Sequence, residues 1–375
     1  TRVRYHRTPE GAHGLKAPPR KTGYNSDAVL ALTFSLSVQP DSMARETILV
    51  AYDDEWAIEY FGQRLRAWWR RGDNAGPMTL LSAAFAEESV IARAAAFDAD
   101  LAERARTVAG EPYADLLALS WRHALAAHKL VAGPDGEPLY FSKENFSNGC
   151  IATVDVTYPS APLFLQFNPA LLRAMILPYF TYCASPAWPH AFAAHDLGTY
   201  PKANGQTYRN FDKDPHLAII ETQMPIEECG NMLILVGALA RATGDLADAR
   251  AHWPLLSRWA NYLADNGEDP GAQLCTDDFS GVLGHNVNLA AKAAVGLGVY
   301  AQLARAIGET ATAERFGAIA RRFADYLLDR ARDGDATRLA FNQPGTWSLK
   351  YNMVWDRLLG LGLWSEAERR RELTA

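Results

Sequence analysis

From Tyr113 onward, apolar residues recur at spacings of three and four, the period of helices that bury one face. Residues 231–242 and 289–306 are small and apolar nearly all round, as helices covered on both sides must be. Their sequence partners are amphipathic. In the second of them Phe316, Ile319, Phe323 and Leu327 share one stripe, with Arg321, Arg322 and Asp325 away from it. Inner and outer helices therefore alternate. An internal echo supports this: Leu239-Ala240-Arg241-Ala242-Thr243-Gly244-Asp245 returns 64 residues later as Leu303-Ala304-Arg305-Ala306-Ile307-Gly308-Glu309. Each copy reads as a tight turn, its glycine ending one helix in the left-handed conformation and its acid opening the next.

The fold class that follows is mainly α, an (α/α) toroid of helical hairpins, with an open solenoid or an irregular bundle as alternatives. Helical segments near 113–131, 167–184 and 350–362 bring the number of hairpins to roughly four or five, short of a full ring. Before them, β-type runs at 28–38 and 47–52 are separated by Pro, Gly and Asp, and the pattern turns helical from Phe61. The expected organisation is a C-terminal remnant of a β-sandwich at 1–60, a helical linker at 61–110 and a truncated six-hairpin catalytic domain at 111–375.

Composition narrows the function. With 375 residues, 49% of them hydrophobic, the chain buries a large core, and a net charge of −6 without a basic cluster argues against nucleic acid. No uninterrupted run of about 18 apolar residues appears, so no membrane span is expected. A small neutral or zwitterionic substrate, an amino acid or a sugar, fits better. Cys150, Cys183, Cys229 and Cys275 are too sparse for a disulfide framework and read as buried thiols, Cys150 being the best nucleophile candidate but without a histidine in sequence reach. Gly-x-Ser-x-Gly elbows, helical Ser-x-x-Lys pairs and phosphate-binding glycine loops are missing, and Thr1 is not read as a nucleophile. His and Cys at metal-ligand spacing are missing too, so neither metal nor cofactor is expected, with carboxylate-bound Ca²⁺ alone left open.

The chemistry concentrates in the connections between hairpins. These run to about twenty to forty residues, far beyond ordinary loops, whereas the turns inside hairpins are short. Because short and long connections alternate, all the long loops emerge at one end, beside the inner-helix N-termini and their unsatisfied N–H groups. The loops carry Glu144, Asn145 and Asp155, then His195, Asp196 and Tyr200, then Glu227, Glu228 and Asn231, then Asp277, Asp278, His285 and Asn286, and finally Trp347 with Lys350. Glu227 and Glu228 are either first-turn acids favoured by the helix dipole or half of an acid/base pair, one of them raised in pKa beside Asp277 or Asp278. Asp277 and Asp278 are in turn either a capping pair or the other half. His195-Asp196 reads as a structural pair or as part of a pocket whose backbone, at Gly198, is shaped for close approach of a ligand.

Taken together, Ala51-Tyr52-Asp53-Asp54-Glu55-Trp56 and residues 141–162, 194–201, 223–231, 274–288 and 344–356 resemble, in collinear order, the glutaminase A family. The resemblance implies a β-rich N-terminal domain, a six-hairpin domain that makes the toroid an (α/α)6 one of the six-hairpin glycosidase type, hydrolysis of L-glutamine to L-glutamate and ammonia, and a secreted or periplasmic location. Set against that pattern, the chain is expected to open inside the β-domain and to stop before the ring is complete. A more distant likeness to six-hairpin glycosidases, in which a His-Asp-Leu-Gly-type loop lines the sugar site, keeps glycoside hydrolysis as the alternative; a non-catalytic sugar or peptide binder is a third reading. For hydrolysis, Glu228 with Asp277 or Asp278 are the candidate acid and base, and Glu144, Asn145, Asp155, His195, Asp196, Tyr200, Glu227, Asn231, His285, Asn286 and Trp347 the candidate substrate-binding residues.

Overall fold

A computed structural model describes residues 38–44, 48–72, 75–87, 89–144, 148–208, 223–276 and 281–374. The chain falls into two units, Thr1–Asp53 with Gly72–Asp100, and Asp54–Arg71 with Leu101–Ala375. The first holds α1 (Pro77–Ala86), opened by a proline at its first position, and the start of α2 (Ser89–Ala126). Helix α2 is broken at Ala109 and Gly110, where Gly110 takes φ +80° and Pro112 follows within the next turn.

The second unit begins with a hairpin of β1 (Ile58–Tyr60) and β2 (Gln63–Leu65), then a 3-10 turn at Trp68–Arg70. A second hairpin joins β3 (His128–Ala132) to β4 (Pro138–Ser142). After α3 (Val154–Phe167) and α4 (Pro169–Cys183), β5 (Lys202–Ala203) returns to lie parallel to β1. The rest is α5 (Pro225–Thr243), α6 (Ala247–Ala251), α7 (Trp253–Asn266), α8 (Val287–Ile307), α9 (Thr310–Ala331), a small β6 (Arg332–Asp333) and β7 (Ala336–Thr337) pair, α10 (Met353–Leu359) and α11 (Glu366–Thr374).

Two expectations about the N-terminal part are corrected. The helical reading from Phe61 gives way to a strand hairpin, because Ile58, Tyr60, Leu65 and Ala67 are buried with a period of two and Phe61 and Gly62 both turn with positive φ. A boundary at residue 60 would cut this hairpin in half. The run at 47–52 forms no strand over its described residues, 48–52, and the run at 28–38 lies outside the described residues except for an exposed Val38. Further on, the segment at 113–131 is helical only to Ala126, and 350–362 shortens to α10.

The alternation of helices is as the pattern predicts. Helices α5 and α8 are buried along most of their length and pack on each other, while α9 covers α8 with Phe316, Ala320, Phe323 and Leu327 and leaves Arg321, Arg322 and Asp325 exposed. Helix α8 has the length and apolarity of a membrane span in spite of Lys292 and Arg305, which interrupt its apolar run, yet 94% of that window is buried inside the protein. Glycines set the closeness of the inner pair. A Cβ on Gly237 would stand 2.1 Å from Val299 Cγ1, and one on Gly296 3.4 Å from Gly230 Cα. Both echoed turns have their glycines in the left-handed conformation, Gly244 at φ +72° and Gly308 at φ +97°. Asp245 accepts from the backbone N–H of Ala247 at 2.8 Å and so opens the next helix; Glu309 occupies the matching position before α9 without a side-chain capping bond.

Candidate active site

Three local devices bring the N-termini of α3 and α5 together with the loop between α4 and α5. The segment before α3 pairs with that loop: the Ile151 N–H donates to Gly198 O (2.9 Å), the Leu197 N–H to Ile151 O (3.0 Å) and the Val154 N–H to His195 O (2.9 Å). Gln206 then ties the loop to the approach to α5, accepting from the His195 N–H at 2.8 Å and donating to Gln223 Oε1 at 2.8 Å. The Ala193 N–H donates to Cys229 Sγ at 3.3 Å, one residue beyond Glu228. As a result Asp155, His195 and Glu228 each offer a donor atom within 4.8 Å of the others.

His195 is held from one side. Its Nδ1 lies 3.0 Å from Asp196 Oδ2, and its ring stacks on Tyr208 with centroids 4.0 Å apart. Asp196 itself is locked, accepting from the N–H groups of Gly198 (2.8 Å), Thr207 (3.0 Å) and Tyr208 (3.2 Å). A carboxylate on Nδ1 fixes the tautomer and leaves Nε2 for Asp155, 3.7 Å away. Burial alone would lower the pKa of His195, but Asp155 and Asp196 outweigh it and the net direction is upward. Gly198 is required by the loop itself, at φ +142° with a Cβ that would fall 2.1 Å from Lys202 O, so its close approach is to its own chain rather than to a ligand.

Glu228 sits in the first turn of α5, 1% exposed. Burial, then the charges of Asp155 and Glu227, raise its carboxyl well above the ordinary range, and Asn231 and Lys292 only partly oppose them. Its Oε2 accepts from Asn231 Nδ2 at 3.1 Å, while its Oε1 is buried and has no hydrogen-bond partner among the described residues. The hydroxyl of Tyr179, on α4, is likewise buried without a partner among the described residues, and its pKa is raised by burial and by Glu228, Asp196 and Asp155.

Glu227 has a different part. It pairs with the fully buried Lys292 of α8, accepts from Thr276 Oγ1 and accepts from Asn231 Nδ2 at 3.3 Å. Lys292 also donates to Asn231 Oδ1 at 2.7 Å and lies 4.2 Å over the ring of Tyr158. Gly230 makes this reach possible, since a Cβ there would stand 2.5 Å from Lys292 Cγ. Lys292 was absent from the sequence-based candidates. The signal was present, a single lysine in an otherwise small and apolar inner helix, where a charge demands a partner.

The other candidates separate. Asp277, Asp278 and Asn145 lie outside the described residues. Four of the substrate-binding candidates make defined contacts within the protein. Asp196 holds His195 and its own loop, Asn231 bridges Glu227, Glu228 and Lys292, Glu227 is neutralised by Lys292, and Asn286 caps α8 by accepting from the Asn288 and Leu289 N–H groups. His285 stands at the surface with Asp269, 2.9 Å away, as its acidic partner, and Trp347 is 48% exposed. Tyr200 lies under Lys143 at 4.9 Å, and Glu144 accepts from Thr153 Oγ1 at 3.3 Å. All four cysteines are buried thiols. Cys150 does meet His195 and Asp196 within 4.8 Å, the histidine that sequence order had hidden, but burial and then Asp196 and Glu144 push its thiol far up, away from a nucleophilic thiolate.

A mainly α array of hairpins, with buried carboxylates at the N-terminal end of an inner helix, is the six-hairpin class. Residues 110–373 match the glutaminase A six helical-hairpin domain, and the chain belongs to that family. It is 35% identical over 284 residues to glutaminase A of Aspergillus oryzae, covering 72% of this chain and 39% of that protein. It is 30% identical over 322 residues to a probable glutaminase of Arthroderma benhamiae, covering 69% of this chain and 36% of that protein. The matched region thus spans well under half the length of either relative.

Proposed function

We propose that this chain carries the hydrolytic site of a glutaminase, converting L-glutamine and water to L-glutamate and ammonia. The observation that carries the proposal is the pair formed by Glu228, buried and raised in pKa, and Asp155, within 4.8 Å of it and open to solvent over 13% of its side chain. Burial that holds a proton on Glu228 suits it to act as the acid, and the neighbouring Asp155 carboxylate can accept a proton as the base. Water adds to the carboxamide carbon as Asp155 takes its proton. The C–N bond then breaks as Glu228 passes its proton to nitrogen, releasing ammonia. The proton left on Asp155 returns to Glu228 through His195 Nε2, which Asp196 keeps turned toward both. The names of the relatives support amide hydrolysis. Asp155 is taken here as the base because it is grouped with Glu228 and His195; Asp277 and Asp278, the other candidates for that role, lie outside the described residues.

Glycoside hydrolysis is the second reading. A carboxylate pair within 4.8 Å approaches the separation of about 5 Å typical of retaining glycosidases. An assay of ammonia release from glutamine, run beside a panel of aryl glycosides and oligosaccharides, separates the two. The proposal predicts ammonia from glutamine and a loss of about 10²-fold or more in Glu228→Gln. Turnover of a glycoside without ammonia release from glutamine would replace it with the second reading.

A further inference from the structure

Asp155, His195 and Glu228 have a second property besides acid–base chemistry: one imidazole and two carboxylates from three separate chain segments converge on one point. We propose that they form a binding site for a divalent transition-metal ion of the zinc class, and that an ion held there blocks the hydrolytic site.

The donor set is one nitrogen and two carboxylate oxygens, the mixture such ions accept, and lacks the six to eight oxygens that Ca²⁺ gathers. In a tetrahedral zinc site with bonds of about 2.0–2.2 Å, neighbouring donors stand about 3.3–3.6 Å apart. His195 Nε2 and Asp155 Oδ1 already stand at 3.7 Å, and all three donors fall within 4.8 Å before any ion draws them in. The histidine is oriented for the task. Asp196 on Nδ1 is the outer carboxylate that fixes a metal-binding imidazole and strengthens its other nitrogen, and three backbone N–H groups hold that carboxylate in place. Glu228, 1% exposed, contributes a carboxylate whose Oε1 has no hydrogen-bond partner among the described residues. A buried acceptor left in this condition is the second, independent mark of a ligand-binding position. Lys292 is already committed to Glu227 and Asn231, so it does not take up Glu228 Oε1. The neighbouring group of Cys150, His195 and Asp196 is a poorer site, because Asp196 spends its oxygens on the loop backbone.

The blocking part rests on the proposed function. An ion bound by all three residues occupies the Asp155 oxygen that would receive the water proton and the Glu228 oxygen that would deliver one to nitrogen.

The test titrates the chelator-treated protein with ZnCl₂ in a calorimeter and measures ammonia release from glutamine at the same Zn²⁺ concentrations. CoCl₂ serves as a spectroscopic probe, since its d–d bands report nitrogen and oxygen ligands directly. The proposal predicts one saturable Zn²⁺ site per chain, a fall in ammonia release that follows its occupancy, and at least a tenfold loss of Zn²⁺ affinity in Asp155→Asn and His195→Ala. Asp155→Asn is the near-isosteric variant that remains informative if His195→Ala fails to fold. Absence of a saturable site, or unchanged Zn²⁺ affinity in both folded variants, overturns the inference and leaves the hydrolase reading untouched. Stimulation of ammonia release by Zn²⁺ overturns the blocking role. A protein that binds Zn²⁺ as described but releases no ammonia under any condition keeps the metal site and removes the hydrolase reading.

Discussion

The two ends of the inner helices α5 and α8 contrast sharply in how they treat polar groups. At their C-terminal ends, Gly244 and Gly308 close tight left-handed turns at the surface, and a Cβ at either would meet nothing within 4 Å. At their N-terminal ends, Glu227, Glu228, Asn231 and Lys292 are nearly inaccessible to water, and Glu227 Oε2 and Glu228 Oε1 find no hydrogen-bond partner among the described residues. The same helices are thus finished economically at one end and held under electrostatic tension at the other. The N-terminal groups therefore depend on one another's charges, whereas the C-terminal glycines answer to backbone geometry alone.

The contrast can be broken most severely at Lys292. Lys292→Met leaves Glu227 buried without its cation and is expected to destabilise the fold by about 3–5 kcal/mol, measured by denaturant unfolding. Lys292→Met with Glu227→Gln should recover most of that loss; a double variant as unstable as the single one would show that the pair is not the source. Next comes Asp196→Asn, which removes the acceptor that fixes His195. The chain should keep its fold and lose about 10- to 100-fold in ammonia release, the range for outer-shell partners of a functional histidine; a rate equal to wild type would make Asp196 purely a loop anchor. The smallest effect belongs to the turn end. Gly244→Ala places a Cβ at φ +72° and should cost about 1 kcal/mol while leaving turnover unchanged, and a fall in turnover would contradict the division between the two ends.

Stability should also depend on pH in a defined sense. Glu228 has a folded pKa raised above its unfolded value, so the folded state binds the extra proton. That contribution is fully present below the unfolded carboxyl pKa and is lost as pH rises through the folded value. Glu228→Gln removes this term, and its unfolding free energy should decline less than wild type on the alkaline side.

Much of the hairpin array was legible because it rests on local rules. The Gly-acid echo at 244 and 308, the apolar all-round inner helices and the stripe of Phe316, Phe323 and Leu327 each follow from backbone and burial periodicity within a few residues. The segments bearing His195 and Glu228 also stood out in the sequence as acid-rich and histidine-bearing stretches. What sequence order concealed was pairing across distance. Asp155 meets His195 because residues 149–154 lie against 195–200, and Lys292 meets Glu227 because Gly230 lets one helix side chain cross the other. Neither contact leaves a spacing pattern along the chain. The contacts of Asn286 and Asn231 were hidden for a related reason: a capping or bridging asparagine has the same sequence appearance as any other, and only its partners reveal the cap on α8 and the bridge from Glu228 to Lys292.

The central claim is that Glu228 acts as a protonated acid beside Asp155. Its most direct test is the pH dependence of ammonia release from glutamine in the wild type and in Glu228→Gln. The account predicts a wild-type rate that declines on the alkaline side as Glu228 loses its proton, and a variant slower by about 10²-fold or more with that alkaline limb gone. A Glu228→Gln protein that releases ammonia at the wild-type rate, with the wild-type profile, would contradict it.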